Sequence, residues 1–198
     1  KWEKSKFTGV ELAGKTLGVI GLGKVGREGA QRGSAFRMKV LGVDPFVSAE
    51  AAGSYGTQLV PSSQLYAESD FISLHLPLTG QNHYFISNGE LDQCKEGVRI
   101  VNCARGGIVD EAALLRAIES GKVAGAALDV FETEPPENVE LLAHEHVICT
   151  PHLAASTKEA QTSVALQVAE QVGEVLIDKV IRNAVNVPSV EPEVYKIL

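Results

Sequence analysis

Three side chains that could hold an anion and move a proton stand just behind apolar runs: Arg105, Glu134 and His152. Arg105 follows the run Val98–Cys103, and Gly106-Gly107 then turn the chain. A planar guanidinium can grip a carboxylate through two parallel hydrogen bonds, which fixes orientation as well as charge. His152 follows Thr150-Pro151. An imidazole, whose ordinary pKa of about 6.5 lies near working pH, is the natural proton carrier. A carboxylate beside it would favour the protonated ring and fix its orientation. Glu134 can do this, and Glu132 competes for the role in the same loop. Each group alone has a bland reading: an arginine tying down a loop, an acid solvated before Pro135-Pro136, a histidine in a turn. Three such groups at strand ends together point to catalysis.

Positioning them requires a sheet. Short, nearly continuous apolar runs recur at Thr16–Ile20, Lys39–Val43, Phe71–Leu74, Val98–Cys103, Ala124–Val130 and His146–Cys149, with a weaker one at Gln58–Val60. Runs of this kind belong to strands covered on both faces. Helical patterns alternate with them. Asp110 can cap a helix carrying Leu114, Leu115 and Ile118 and stopping at Gly121. Ser156 and Glu159 have capping-box spacing before a long helix with Val164, Val168, Val172 and Val175 along one side. The alternation predicts an α/β fold: a doubly wound, mainly parallel sheet of six or seven strands with helices on both faces. In such sheets the carboxyl ends of the strands face the ligand crevice.

One loop specifies the ligand class. Gly21-Leu22-Gly23-Lys24-Val25-Gly26 follows the first strand and opens a helix, and Asp44 ends the next strand eighteen residues after Gly26. Gly21 permits the tight turn, Gly23 lets backbone approach a pyrophosphate, and Gly26 allows close helix–strand packing. The helix N-terminus then offers free N–H groups and a partial positive charge. Asp44 is placed to accept from the adenosine ribose and would repel a 2′-phosphate, which selects NAD over NADP. Gly29 and Gly33 fall inside that helix, where each should cost about 1 kcal/mol against alanine. Asp129 could accept from a nicotinamide carboxamide, or be a strand-terminal acid satisfied by backbone. His75 is placed to shape the cofactor pocket, and His83, His144 and His146 fall in polar connections.

Composition narrows the rest. With 198 residues, 44% hydrophobic and 22% charged, the chain suits one domain of generous size. A net charge of −7 argues against nucleic acid or an anionic membrane as partner. No run approaches the length of a membrane helix, and no signal-peptide pattern opens the chain. Cys94, Cys103 and Cys149 lack metal-ligand spacing, so no metal is expected, and they read as reduced thiols of a cytoplasmic protein. The start at Lys1 reads as a piece of something longer. Residues 1–198 are expected to form one dinucleotide-binding domain, with a core of about 12–180 and an extended tail over 181–198.

The segments ELAGKTLGVIGLGKVG, VDP, SDFISLHLPLT, NCARGGIVDEAALLRAIESGKVAGAALDVFETEPP and TPHLAASTKEAQ are similar to the D-isomer-specific 2-hydroxyacid dehydrogenases. The resemblance is strongest to the branch acting on a phosphorylated three-carbon acid, and it covers nearly all of 12–187. It implies that Arg105 binds the substrate carboxylate, that His152 is the acid/base, and that Glu134 is its partner. It implies contacts to NAD from Gly21, Gly23, Lys24, Val25, Gly26, Asp44, Leu76 and Pro77. Cys103, Ala104, Asp129, Ala154 and Ala155 would lie near the nicotinamide end. It implies a small anionic 2-hydroxy acid as substrate, a homodimer formed through this domain, and a substrate-binding domain largely outside this chain. Two relatives of the same fold stay open: a glyoxylate/hydroxypyruvate reductase, and an NAD-sensing corepressor-like protein that binds partners instead of turning over. Three positions depart from the family pattern: Ala154 and Arg37, where glycine is common, and Gln81-Asn82-His83-Tyr84, where threonines are usual.

Overall fold

The computed structural model describes residues 8–184. They fall into two compact units, the first ending at His152 and the second beginning at Leu153. The first unit alternates strand and helix throughout. Its order is β1 (Thr16–Ile20), α1 (Lys24–Ala35), β2 (Lys39–Val43), α2 (Ala49–Gly53), β3 (Thr57–Leu59), α3 (Ser62–Glu68) and β4 (Phe71–Leu74), then α4 (Asn88–Gln93), β5 (Val98–Asn102), α5 (Glu111–Glu119), β6 (Val123–Leu128), α6 (Val139–Ala143) and β7 (Val147–Cys149). The seven strands form one sheet in the order β3-β2-β1-β4-β5-β6-β7. Every pairing is parallel.

Two-residue periodicity splits the core between the faces. Val19 and Val40 join Leu22, Ala30, Ala52 and Tyr55 in one buried cluster. Their neighbours Ile20 and Leu41 enter the larger cluster with Leu65, Ile72, Ile100, Leu114, Leu128 and Leu141. Helices α1 and α2 therefore supply one face, and α3 to α6 the other.

Of Gly29 and Gly33 inside α1, only Gly33 is tightly packed: a Cβ there would lie 2.6 Å from Leu17 Cδ2, so that side chain would have to shift, whereas one on Gly29 would meet only the His75 ring, Nε2 at 3.6 Å, an ordinary contact. Helix α5 begins as the sequence predicts, with the Asp110 carboxylate accepting from Ala113 N at 2.9 Å. Several boundaries differ, most of them by one residue. Strand β5 ends at Asn102 because that side chain turns back into the following loop, and β6 ends at Leu128, before the buried stretch Asp129–Phe131. In the second unit, α7 (Lys158–Ile177) is capped by Thr157 rather than Ser156, the Thr157 hydroxyl accepting from Ala160 N at 3.0 Å. Val164, Val168, Val172 and Val175 of α7 are exposed. The expected tail lies mostly in residues 185–198, outside the described residues.

Candidate active site

The glycine loop joins β1 to α1 where the sheet order reverses. Gly21 has φ +90°, and a Cβ there would lie 2.7 Å from His75 O. A Cβ on Gly26 would lie 1.9 Å from Gly21 O. The turn is thus closed on itself and on the end of β4. Gly23 faces open space, and Gly23, Lys24 and Val25 are exposed. No side chain caps α1, and its first turn carries no acidic residue. A helix start left open in this way suits a phosphate group. Asp44 accepts from Leu22 N at 2.7 Å and from Phe46 N at 2.8 Å, which ties the end of β2 to the loop. These residues fit a dinucleotide: an uncapped helix start for the diphosphate and a fixed carboxylate for a ribose.

His75 belongs to the same cradle. Its ring nitrogen pairs with Ser73 Oγ at 2.9 Å, and burial pushes the imidazole below its ordinary value. The ring packs beside Gly26 and Gly29, and its burial favours the neutral form. Leu76 is half-buried against the main core, with Pro77 next to it.

Beyond β5 the chain turns through Cys103, Ala104 and Arg105. Asn102, 2% exposed, clamps this turn: its Oδ1 accepts from Ala104 N at 3.1 Å and its Nδ2 donates to Arg105 O at 2.9 Å. Sequence reading missed Asn102. Its signal was a polar residue at the end of a strand otherwise buried. The Arg105 guanidinium is exposed and donates to Ala104 O at 2.6 Å. Gly106 touches the next strand's exit so closely that a Cβ would lie 1.7 Å from Phe131 O. Cys103 is exposed, and partial burial with the Asp129 charge raises its thiol pKa.

Glu134 and His152 meet across the exits of β6 and β7. Glu134 Oε2 lies 2.8 Å from His152 Nδ1, and Glu134 Oε1 accepts from Phe131 N at 3.2 Å. The hydrogen bond to His152, and then that from Phe131, hold the Glu134 carboxyl below its ordinary range. The carboxylate thus stays charged and fixes the ring through Nδ1, leaving Nε2 for other work. His152 itself sits at φ +54°. A cavity of about 430 Å³ adjoins the pair, lined by Phe131, Pro135, Leu142 and Cys149 among others. Glu132 points elsewhere, accepting from Tyr84 Oη at 3.0 Å. Asp129 is buried at the end of β6 and accepts from Thr150 Oγ1. Ala154 and Ala155 lie in the exposed turn opening the second unit, where Thr157 N donates to Ala155 O at 3.0 Å.

This geometry can orient an anion at an exposed arginine and exchange a proton at a carboxylate-held imidazole. The family described as D-isomer specific 2-hydroxyacid dehydrogenase, NAD binding domain, matches residues 1–154. D-3-phosphoglycerate dehydrogenase of Rattus norvegicus is 51% identical over 186 residues, which is 94% of this chain and 35% of the relative. The enzyme of that name from Archaeoglobus fulgidus is 51% identical over 199 residues, 100% of this chain and 38% of the relative. The chain thus spans about a third of the length of these relatives. Among solved structures, a glyoxylate reductase from Paecilomyes thermophila is 37% identical with a TM-score of 0.84, covering 90% of this chain and 54% of its own. A D-lactate dehydrogenase from Aquifex aeolicus, complexed with NAD and lactic acid, is 35% identical with a TM-score of 0.79, covering 88% of this chain and 57% of its own.

Proposed function

The chain belongs to the D-isomer specific 2-hydroxyacid dehydrogenase family through its NAD-binding domain, and from that premise we propose that it is the cofactor-binding and proton-carrying part of an enzyme that oxidises D-3-phosphoglycerate to 3-phosphohydroxypyruvate, the entry step to L-serine. The observation that carries the chemistry is the 2.8 Å Glu134–His152 pair beside the Arg105 turn. The substrate choice is supported by 51% identity over 94% of the chain to an enzyme of that name.

NAD, when bound, would supply the acceptor for a hydride. The chain's own residues do the rest. The open start of α1 receives the diphosphate, and Asp44 takes the adenosine ribose. Arg105 orients the substrate carboxylate. His152 takes the C2 hydroxyl proton at Nε2 during oxidation and returns it during reduction. Glu134 keeps its Nδ1 side occupied, which stabilises the ring when it is protonated. We further propose that residues 1–198 act as one domain with a core of about 12–180, that the substrate-binding domain lies largely outside it, and that the enzyme works as a cytoplasmic homodimer. Among the described residues, no helix is long and apolar enough to cross a membrane.

The test is NADH oxidation by the intact protein with phosphohydroxypyruvate, hydroxypyruvate and glyoxylate at matched concentrations. A strong preference for the phosphorylated acid is expected. Preference for the small acids would assign the chain to a reductase, a reading favoured by its likeness to the glyoxylate reductase structure.

A further inference from the structure

Between the arginine turn and the glutamate loop lies a set of contacts that the proposed chemistry leaves unused. We infer that Glu132 is a positioning residue: bonded to Tyr84 and Glu111, it fixes the loop carrying Glu134 against the Arg105 turn, so that the anion-binding and proton-carrying groups keep one geometry. This inference rests on the reading of Glu134 and His152 given above.

The contacts close a ring. Gly106 packs on Phe131 O, the next residue Gly107 accepts from Tyr84 N at 2.7 Å, and the Tyr84 hydroxyl donates to Glu132 Oε2 at 3.0 Å. Glu132 follows Phe131, so the ring returns to its start. A second tie reinforces it. Glu132 N donates to Glu111 Oε1 at 2.7 Å, and Glu111 N donates to Glu132 Oε1 at 3.3 Å. The loop is thereby held at the start of α5, the helix that follows the arginine turn. Two residues along, Glu134 draws one of its two hydrogen bonds from Phe131 N, so its aim at His152 depends on where this backbone is held.

The groups around Glu132 come from three elements. Tyr84 faces it from the loop before α4, Asp110 and Glu111 from the start of α5, and Glu137 with Asn138 from the approach to α6, around a cleft of about 230 Å³. Asp110 is occupied by Ser87 Oγ and Ala113 N. Burial pushes the Glu111 carboxyl up, the bond from Glu132 N opposes that and the Glu132 charge adds to it, and the Glu132 bond raises the Tyr84 phenol. The arrangement works as a tether because each carboxylate accepts the other's backbone N–H despite their like charge.

The experiment compares Glu132→Ala, Glu132→Gln and Tyr84→Phe in the intact protein. It reads kcat and KM for 2-keto acid reduction by NADH, and the titration of the Glu134 carboxyl by carbon NMR. Glu132→Ala should lower kcat by about tenfold, as a small misplacement of a reacting group does, with KM for NADH little changed. The Glu134 titration should move up toward an ordinary carboxylate. Tyr84→Phe, which removes one exposed hydroxyl and keeps the ring against His83, should shift both readouts the same way by less. Glu132→Gln keeps an acceptor and should restore most of kcat. An unmoved Glu134 titration in Glu132→Ala overturns the inference, as does Glu132→Gln failing as badly as alanine. A His152→Ala control separates the two readings. If it retains turnover, the proton-carrier reading fails, and the Glu134 titration still decides the role of Glu132.

Discussion

Replacing Gly106 with alanine tests whether the site depends on how closely two strand exits approach. Gly106 lies outside the left-handed region, whereas its neighbour Gly107 has φ +74°, so alanine at 106 meets no backbone strain of its own. Its only obstacle is contact. The added Cβ would stand 1.7 Å from Phe131 O, 2.2 Å from Phe131 C and 2.8 Å from Glu132 N, all backbone atoms that no rotamer change can remove. The arginine turn and the glutamate loop must therefore part by more than about 1 Å, since packed interiors hold no slack of that size. Overpacking of this kind costs on the order of 1–3 kcal/mol of stability, which leaves an ordinary domain folded. Misplacing reacting groups by about 1 Å costs on the order of 10²-fold in turnover. The assay is steady-state reduction of a 2-keto acid by NADH in the intact protein, beside a thermal unfolding curve and NADH binding by fluorescence. The expected result is a folded protein that binds NADH and turns over about a hundredfold more slowly. Turnover equal to the wild type in a folded Gly106→Ala protein would refute the argument that this contact sets the catalytic geometry.

Gly23→Ala should do the opposite, because its Cβ meets nothing within 4 Å: unfolding should be unchanged while NADH binding weakens, and undiminished binding would show that no phosphate passes there. Asp44→Ala removes the acceptor for Leu22 N and Phe46 N, together with the proposed ribose contact. At about 1.5–3 kcal/mol per hydrogen bond to a charged group, NADH binding should weaken by tenfold or more and discrimination against NADPH should relax. An unchanged ratio of the two affinities would remove Asp44 from cofactor selection. Arg37, at φ +62°, occupies a conformation glycine adopts freely. Arg37→Gly should stabilise the protein by about 1 kcal/mol in urea unfolding, the left-handed strain of about 1–2 kcal/mol exceeding the added chain entropy. Lower stability would mean that the exposed Arg37 side chain makes a contact of its own worth more than that strain.

What could be read from the sequence was what is local. The run Thr16–Ile20, the glycines after it and Asp44 lie within thirty residues, so spacing alone defines a strand, a turn, a helix and an acid. Arg105, Glu134 and His152 were legible because each follows an apolar run. The choice between Glu132 and Glu134 was not, because two acids in one loop differ only in what stands across from them. In the structure Glu134 meets His152, and Glu132 turns to Tyr84, 48 residues away. The roles of Tyr84 and Glu111 escaped for the same reason, whereas the contacts of Asn102 are local, to Ala104 and Arg105. Gly106 was legible as a turn and not as a contact, since its neighbour Phe131 is set by the pairing of β5 with β6. The substitution at Arg37 was visible as a departure from the family, and its positive φ shows that the backbone kept the glycine conformation without the glycine.

Sheet order explains why Asp44 and His152 sit so far apart. From β2, which ends beside Asp44, to β7, which leads to His152, the order β2-β1-β4-β5-β6-β7 crosses five strand spacings. At about 4.8 Å each that is roughly 24 Å across the carboxyl edge. A ligand held at both Asp44 and His152 would need the length of two nucleotides rather than one. The reversal of order between β1 and β4 lets the ligand cross: Gly21 leaves one strand beside His75 leaving the other, and the helices that follow diverge to opposite faces. On the proposed function, the glycine loop would hold the middle of the ligand and Asp44 one end, and the Glu134–His152 pair would stand where the chemistry occurs. Moving that pair by a single strand position would shift the proton carrier by about 5 Å, well beyond hydrogen-bond reach of a hydroxyl held for hydride transfer.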